Sequence, residues 1–141
     1  MSKPQPVDSS HSFEIKEGLE GLSPIIIRML YRRAPLHRPV SDPERLWTMF
    51  EKASLVVTVW KGARLVGIAR VLTDEVLCSY LCDLAIEPDV QGLGIGKRLM
   101  KYVQDRCEGT ELVLRSSLSR FHRRSGLEPI NDFWAIKPES S

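Results

Sequence analysis

The sequence predicts one α/β domain, and three observations carry that expectation. Apolar, β-branched runs recur at Leu55–Trp60, Leu65–Leu72 and Val76–Ile86. Helix-start signals stand at Ser23-Pro24 and Ser41-Asp42-Pro43-Glu44, and an amphipathic stretch runs from about Gly94 to Glu108. Strand-like and helix-like segments also follow one another without a linker or internal repeat, so the 141 residues fit a single domain with its own core.

Taken in order, Ser12-Phe13-Glu14-Ile15-Lys16 alternates and reads as a first strand. Ser23 caps a first helix whose opening turn accepts Pro24, and the helix runs to about Arg33. Pro35 and Pro39 enforce a loop before a second helix, where Glu44 is expected to complete a capping box to Ser41. Leu46, Met49 and Phe50 follow at helical spacing. Lys61-Gly62-Ala63-Arg64 turns between the first two β-branched runs, which makes a hairpin. Thr73-Asp74-Glu75 turns into a long strand that stops at Glu87-Pro88-Asp89. Ile95, Leu99, Val103 and Cys107 mark the apolar stripe of the next helix. A short strand at Glu111–Leu114, a short helix at Leu118–Arg124 and a last strand at Phe133–Ile136 complete the order β-α-α-β-β-β-α-β-α-β.

Composition narrows the function. Hydrophobic residues make up 43% of the chain and charged residues 27%, as in ordinary globular domains. A net charge of +2 advertises neither nucleic acid nor an anionic membrane as a partner. No apolar run approaches the roughly 20 residues of a membrane helix. Residues 1–11 are polar and Pro/Ser-rich, without the apolar stretch of a signal peptide; they read as a disordered tail on a cytoplasmic protein. Cys78 and Cys82, four residues apart in a strand, lie roughly 13 Å from one another, too far for a disulfide or a shared metal. With Cys107 they are expected to be reduced and packed, and Trp47, Trp60 and Trp134 to pack in the core or at its rim. His11, His37 and His122 have no metal-ligand spacing, so no metal is expected.

The chemistry is concentrated in Leu81-Cys82-Asp83-Leu84-Ala85-Ile86-Glu87-Pro88-Asp89-Val90-Gln91-Gly92-Leu93-Gly94-Ile95-Gly96-Lys97-Arg98-Leu99. A strand feeds a glycine-rich turn, and the turn opens an amphipathic helix. The first N–H groups of a helix lack intrahelical partners, and the helix dipole adds partial positive charge there. Glycines let a phosphate approach the backbone, so the turn is an anion cradle, to which Lys97 and Arg98 add charge. The P-loop pattern fails, because Gln91 occupies its first glycine position and Arg98 its Ser/Thr position. The dinucleotide fingerprint fails at Lys97 and Leu99.

What remains is Gln-x-x-Gly-x-Gly at Gln91, Gly94 and Gly96, and with it the chain resembles the GNAT superfamily of acyl-CoA N-acyltransferases. The likeness covers about Phe13 to Ile136, including element order, and Phe121-His122-Arg123-Arg124-Ser125-Gly126-Leu127-Glu128 looks like a second family motif. Gly67 to Asp74 together with Asp83 is similar to members that acetylate small aryl-alkylamines. The resemblance implies a mixed, mostly antiparallel sheet with helices on both faces, in one N-acetyltransferase domain at residues 12–141. It implies acetyl-CoA and an amine acceptor as partners, with direct attack of the amine on the thioester in a ternary complex. Backbone amides of Gln91, Gly92, Leu93, Gly94, Ile95, Gly96 and Lys97 would bind the pyrophosphate. Leu84, Ala85 and Ile86 would pair with the pantetheine arm as an added strand does, and an N–H near Ala85 would stabilise the oxyanion. Ser116 stands where the family has a pantetheine-binding Asn.

Two candidate catalytic groups follow. His122 takes the place of a family Tyr that protonates the departing thiolate, and its alternative is a partly exposed helix residue. Asp83 shares a strand face with Ala85 and Glu87 and is the candidate base; its alternative is a hydrogen-bonded structural carboxylate. Glu87 is a weaker candidate, as a turn residue beside Pro88. A non-catalytic acyl-CoA-binding regulatory module and a nucleic-acid-binding domain using Arg120 to Arg124 are the rival functions. An exposed sheet edge would suit a homodimer.

Overall fold

The structure is a computed structural model and describes residues 12–116 and 119–138; the expected N-terminal tail, residues 1–11, lies outside the described residues. The elements are β1 (Glu14–Glu17), α1 (Pro24–Arg33), α2 (Pro43–Glu51), β2 (Leu55–Lys61), β3 (Arg64–Thr73), β4 (Cys78–Ile86), α3 (Ile95–Arg106), β5 (Glu111–Leu114) and α4 (Ser119–Arg124). The strands form one sheet in the order β1-β2-β3-β4-β5. The first three pairings are antiparallel, and β4 with β5 is parallel.

Helices cover both faces, as expected. On one face α3 lays Ile95, Leu99, Met100 and Val103 against Val57, Val59, Val66, Ala69 and Val71. On the other, α1 and α2 lay Ile27, Leu30, Tyr31, Leu46 and Phe50 against Val56, Trp60, Leu65 and Ile68. Ser23 caps α1 through the Ile26 amide, as its sequence position requires. The α2 cap is Asp42, whose carboxylate accepts from the Arg45 amide at 3.2 Å, and not Ser41. With Pro43 inside the first turn, Asp42 is the residue left at the cap, so the expected capping box does not form.

Three further expectations give way. β4 starts at Cys78 and not Val76, because the Asp74 carboxylate accepts the amides of Val76, Leu77 and Cys78 and holds them in a turn. Residues 127–138 contain no strand. Phe133, Trp134 and Ile136 are exposed there, so Trp134 does not pack as Trp60 does. A β-like run becomes a strand only beside a partner edge, and its own alternation cannot supply one. Finally, the three cysteines are free, but only Cys107 is buried; Cys78 is exposed and Cys82 half-buried. No helix among the described residues is long and apolar enough to cross a membrane.

Candidate active site

The site begins with an unequal pairing of strands. β4 and β5 pair only from Cys78↔Glu111 to Leu81↔Leu114. β5 ends there, whereas β4 continues to Ile86. Cys82 to Ile86 therefore has β3 on one side and no strand on the other. The register with β3 also shifts at this point: Arg70 faces Asp83, and the next partners are Val71 and Leu81. Cys82 is thus the extra residue of a β-bulge, at the point where the pairing of β4 with β5 ends. Leu84 and Ile86 stay half-buried on the α3 face of this unpaired stretch, while Asp83 and Ala85 are buried on the α1 face.

At the end of β4 a 3-10 turn, Pro88–Val90, leads into the glycine loop. The Gln91 side chain donates its Nε2 to the carbonyl of Ile86 at 3.1 Å and so ties the loop to the strand end. Gly92 and Gly94 have φ of 87° and 82°, the left-handed region that a side chain resists. A Cβ at either would meet only open space, so the requirement is conformational and the ground in front of the loop is clear. Gly94 caps α3 without a side-chain hydrogen bond, and no acidic residue stands in the first turn. The first amides of α3 therefore have no side-chain cap. A helix start without a side-chain cap, two left-handed glycines and the exposed Lys97 give this loop main-chain amides and positive charge of the kind that suits an anion.

A second constellation lies on the opposite face of the sheet. Asp83 is 1% exposed. Its Oδ2 accepts the Tyr31 hydroxyl at 2.6 Å, and its Oδ1 accepts Nε of Arg38 at 2.8 Å and Nη2 of Arg70 at 2.9 Å. Nη2 of Arg38 also donates to the carbonyl of Cys82, the bulge residue, at 2.8 Å. Burial pushes the Tyr31 phenol well above its ordinary range, with the adjacent Asp83 charge adding to the effect. Tyr31 is therefore a fixed donor at any physiological pH. Burial likewise raises the Cys82 thiol. Glu87 is also buried, and pairs with Arg33 of α1 and, at 3.4 Å, with Arg64.

Sequence reasoning singled out Asp83 but passed over Tyr31, Arg38 and Arg70. Arg70 did leave a signal, since it is a charge inside an otherwise apolar strand (Ile68-Ala69-Arg70-Val71). Arg38 left none, because it lies 45 residues from Asp83 in a loop whose path only the fold defines.

His122, on α4, is buried, not partly exposed. Burial lowers its imidazole below the ordinary value and so favours the neutral ring. Together with Ser116 it lines a cavity of about 780 Å³ between β5, the end of α3 and residues 126–135. That places both beside β5, whereas Asp83 lies on β4 under α1. Among the described residues no group of three His, Cys, Asp or Glu side chains could hold a metal.

With this geometry in hand, comparison with known proteins defines the class. Residues 31–130 match the model of the acetyltransferase (GNAT) domain, and the chain belongs to that family. A curated relative, an uncharacterised ycf52-like N-acetyltransferase of Prochlorococcus marinus, is 41% identical over 113 residues. That match spans 74% of this chain and 57% of the relative's own length. Among solved structures, a candidate acetyltransferase of Deinococcus radiodurans superposes with a TM-score of 0.74 at 22% identity, covering 97% of this chain and 94% of that one. A GNAT-family acetyltransferase of Streptococcus pneumoniae gives 0.70 at 20% identity, over 89% of this chain and 99% of its own. At such identities these two likenesses concern the fold.

Proposed function

We propose that this chain is an N-acetyltransferase that moves an acetyl group from acetyl-CoA to a primary amine of a small molecule or peptide. The observation that carries the reading is the uncapped start of α3, with left-handed Gly92 and Gly94, placed at the end of a β4 stretch that has lost its β5 partner. The backbone amides of residues 91–97 would hold the pyrophosphate, and the free edge of Leu84-Ala85-Ile86 would pair with the pantetheine arm. When bound, acetyl-CoA supplies an activated thioester. In the reaction the amine nitrogen would bond to the acyl carbon, the carbon–sulfur bond would break and the CoA thiolate would leave; the amine proton would pass to water, and the thiolate would take up a proton from solvent. An N–H near Ala85 would stabilise the oxyanion.

Two side chains take roles that differ from the simplest family pattern. Asp83 is buried and already accepts three donors, so both of its oxygens are occupied and closed to an incoming amine. We assign it the positioning of Tyr31, Arg38 and Arg70, and not base catalysis. Burial disfavours the charged form of His122, which weighs against an imidazolium acid there; a CoA thiolate can leave without one. These same features support the second reading, a module that binds acyl-CoA without turnover.

Calorimetric titration with acetyl-CoA and CoA, followed by thiol release over an amine panel, decides between them. Binding with turnover supports the enzyme. Binding with no turnover over a broad panel supports the binding module, and no binding of either ligand overturns both.

A further inference from the structure

We infer that the acceptor is an amine carrying a carboxylate beside an apolar body, such as an apolar amino acid, and that Arg70 with Arg38 recognises the carboxylate. The inference rests on the acetyltransferase reading and names the substrate class of that same site.

The first argument is charge. In the cluster at the β4 bulge, two guanidinium groups face one carboxylate. The Asp83 side chain is fully buried, and those of Arg70 and Arg38 are 12% and 26% exposed. One positive charge is thus left without an anion in a site largely removed from water, where an unpaired charge is costly. Nε of Arg70 is buried and has no hydrogen-bond partner among the described residues. The guanidinium lies 5.8 Å from the ring centroid of Phe50, a face that holds the cation without neutralising it. One monoanion balances the cluster. A carboxylate does so, and its two oxygens suit the planar fork of an arginine.

The second argument is shape. Leu72 lies two residues beyond Arg70 on β3 and therefore shares its sheet face. Its partner is Tyr80, which pairs in turn with Val113. With Phe133 these residues line a groove of about 570 Å³. Leu72 thus places the apolar part of this groove one step along the same sheet face from Arg70, which itself does not line it. The groove's remaining carboxylates, Asp74 and Glu111, flank the ladder at Thr73–Cys78, away from Arg70, and Asp74 is already engaged by three amides. A carboxylate-bearing acceptor is therefore drawn to the Arg70 end. That end abuts the unpaired stretch of β4 where the thioester would lie.

The test compares phenylalanine with 2-phenylethylamine, and leucine with 3-methylbutylamine, as acceptors in thiol release with acetyl-CoA. These pairs differ only by the carboxylate. The full chain is used, with Arg38→Gln as the principal variant because Arg38 sits on a loop, and Arg70→Gln as the second. Expected is at least a 10-fold higher kcat/KM for the acids, and loss of that preference in Arg38→Gln, mainly through the KM of the acids. Calorimetry of N-acetylphenylalanine and N-acetyl-2-phenylethylamine, each with CoA present, reads the same preference without turnover. Equal or better use of the plain amines, or preference for an aminophosphonate analogue, overturns the inference and leaves the acetyltransferase reading intact. Failure of acetyl-CoA itself to bind overturns the latter instead.

Discussion

The two sides of the unpaired stretch of β4 are built from different materials. On the α3 side the proposed cradle is main chain: amides at a helix start, beside two glycines whose φ only glycine adopts easily. On the α1 side the cluster is side chain: Tyr31, Arg38, Arg70 and Asp83, drawn from a helix, a loop and two strands. A main-chain site depends on local conformation and tolerates changes of side chain. A side-chain site depends on every partner, and losing one leaves the others buried without compensation.

That contrast can be broken by measurement. The largest effect is expected from Asp83→Asn, which strands two guanidinium groups against a buried amide. Breaking a buried ion pair costs about 3–5 kcal/mol, to be read from denaturant unfolding. A loss below about 1 kcal/mol would mean that the cluster behaves as a solvated pair. Next is Gly94→Asp, which puts a negative charge and a resisted φ at the cradle. CoA affinity in calorimetry should fall roughly 100-fold, or about 2.7 kcal/mol, with a smaller loss of folding stability from the strained φ. Affinity kept within threefold would show that the amides do not hold the ligand. Tyr31→Phe removes a donor to a charged acceptor and should cost about 1.5–3 kcal/mol of stability. The loss should exceed that of any single exposed substitution in the glycine loop.

A pH effect distinguishes the β5 side. His122 has its folded pKa below the ordinary value of about 6.5. The unfolded chain therefore takes up a proton first as pH falls. The contribution of the neutral ring to stability is complete above the unfolded value and is lost as pH drops below about 6.5 toward the folded value. His122→Gln should flatten the acid limb of a stability-versus-pH profile, and an unchanged limb would refute the burial of the ring. The smallest effect is expected from Lys97→Ala, an exposed side chain beside a backbone cradle. CoA affinity should change by no more than about threefold, or about 0.65 kcal/mol, at moderate salt. A much larger loss would transfer the binding from the main chain to the lysine.

By itself the sequence determined what depends on near neighbours. The β2–β3 hairpin, the Ser23 cap, the apolar stripe of α3 and the Gln91–Gly96 turn all follow from the spacing of adjacent residues. The glycine turn proposed as the anion cradle was legible for the same reason, because it is made of consecutive residues. Only the tertiary structure decided the rest. It let β5 stop at Leu114 while β4 runs on to Ile86. It left Phe133–Ile136 without a sheet partner. It also brought Tyr31 and Arg38 to Asp83 across 52 and 45 residues of chain. Alternation and capping report the conformation of one segment. Which distant charge neutralises a buried carboxylate depends on how segments pack, and no local spacing encodes that.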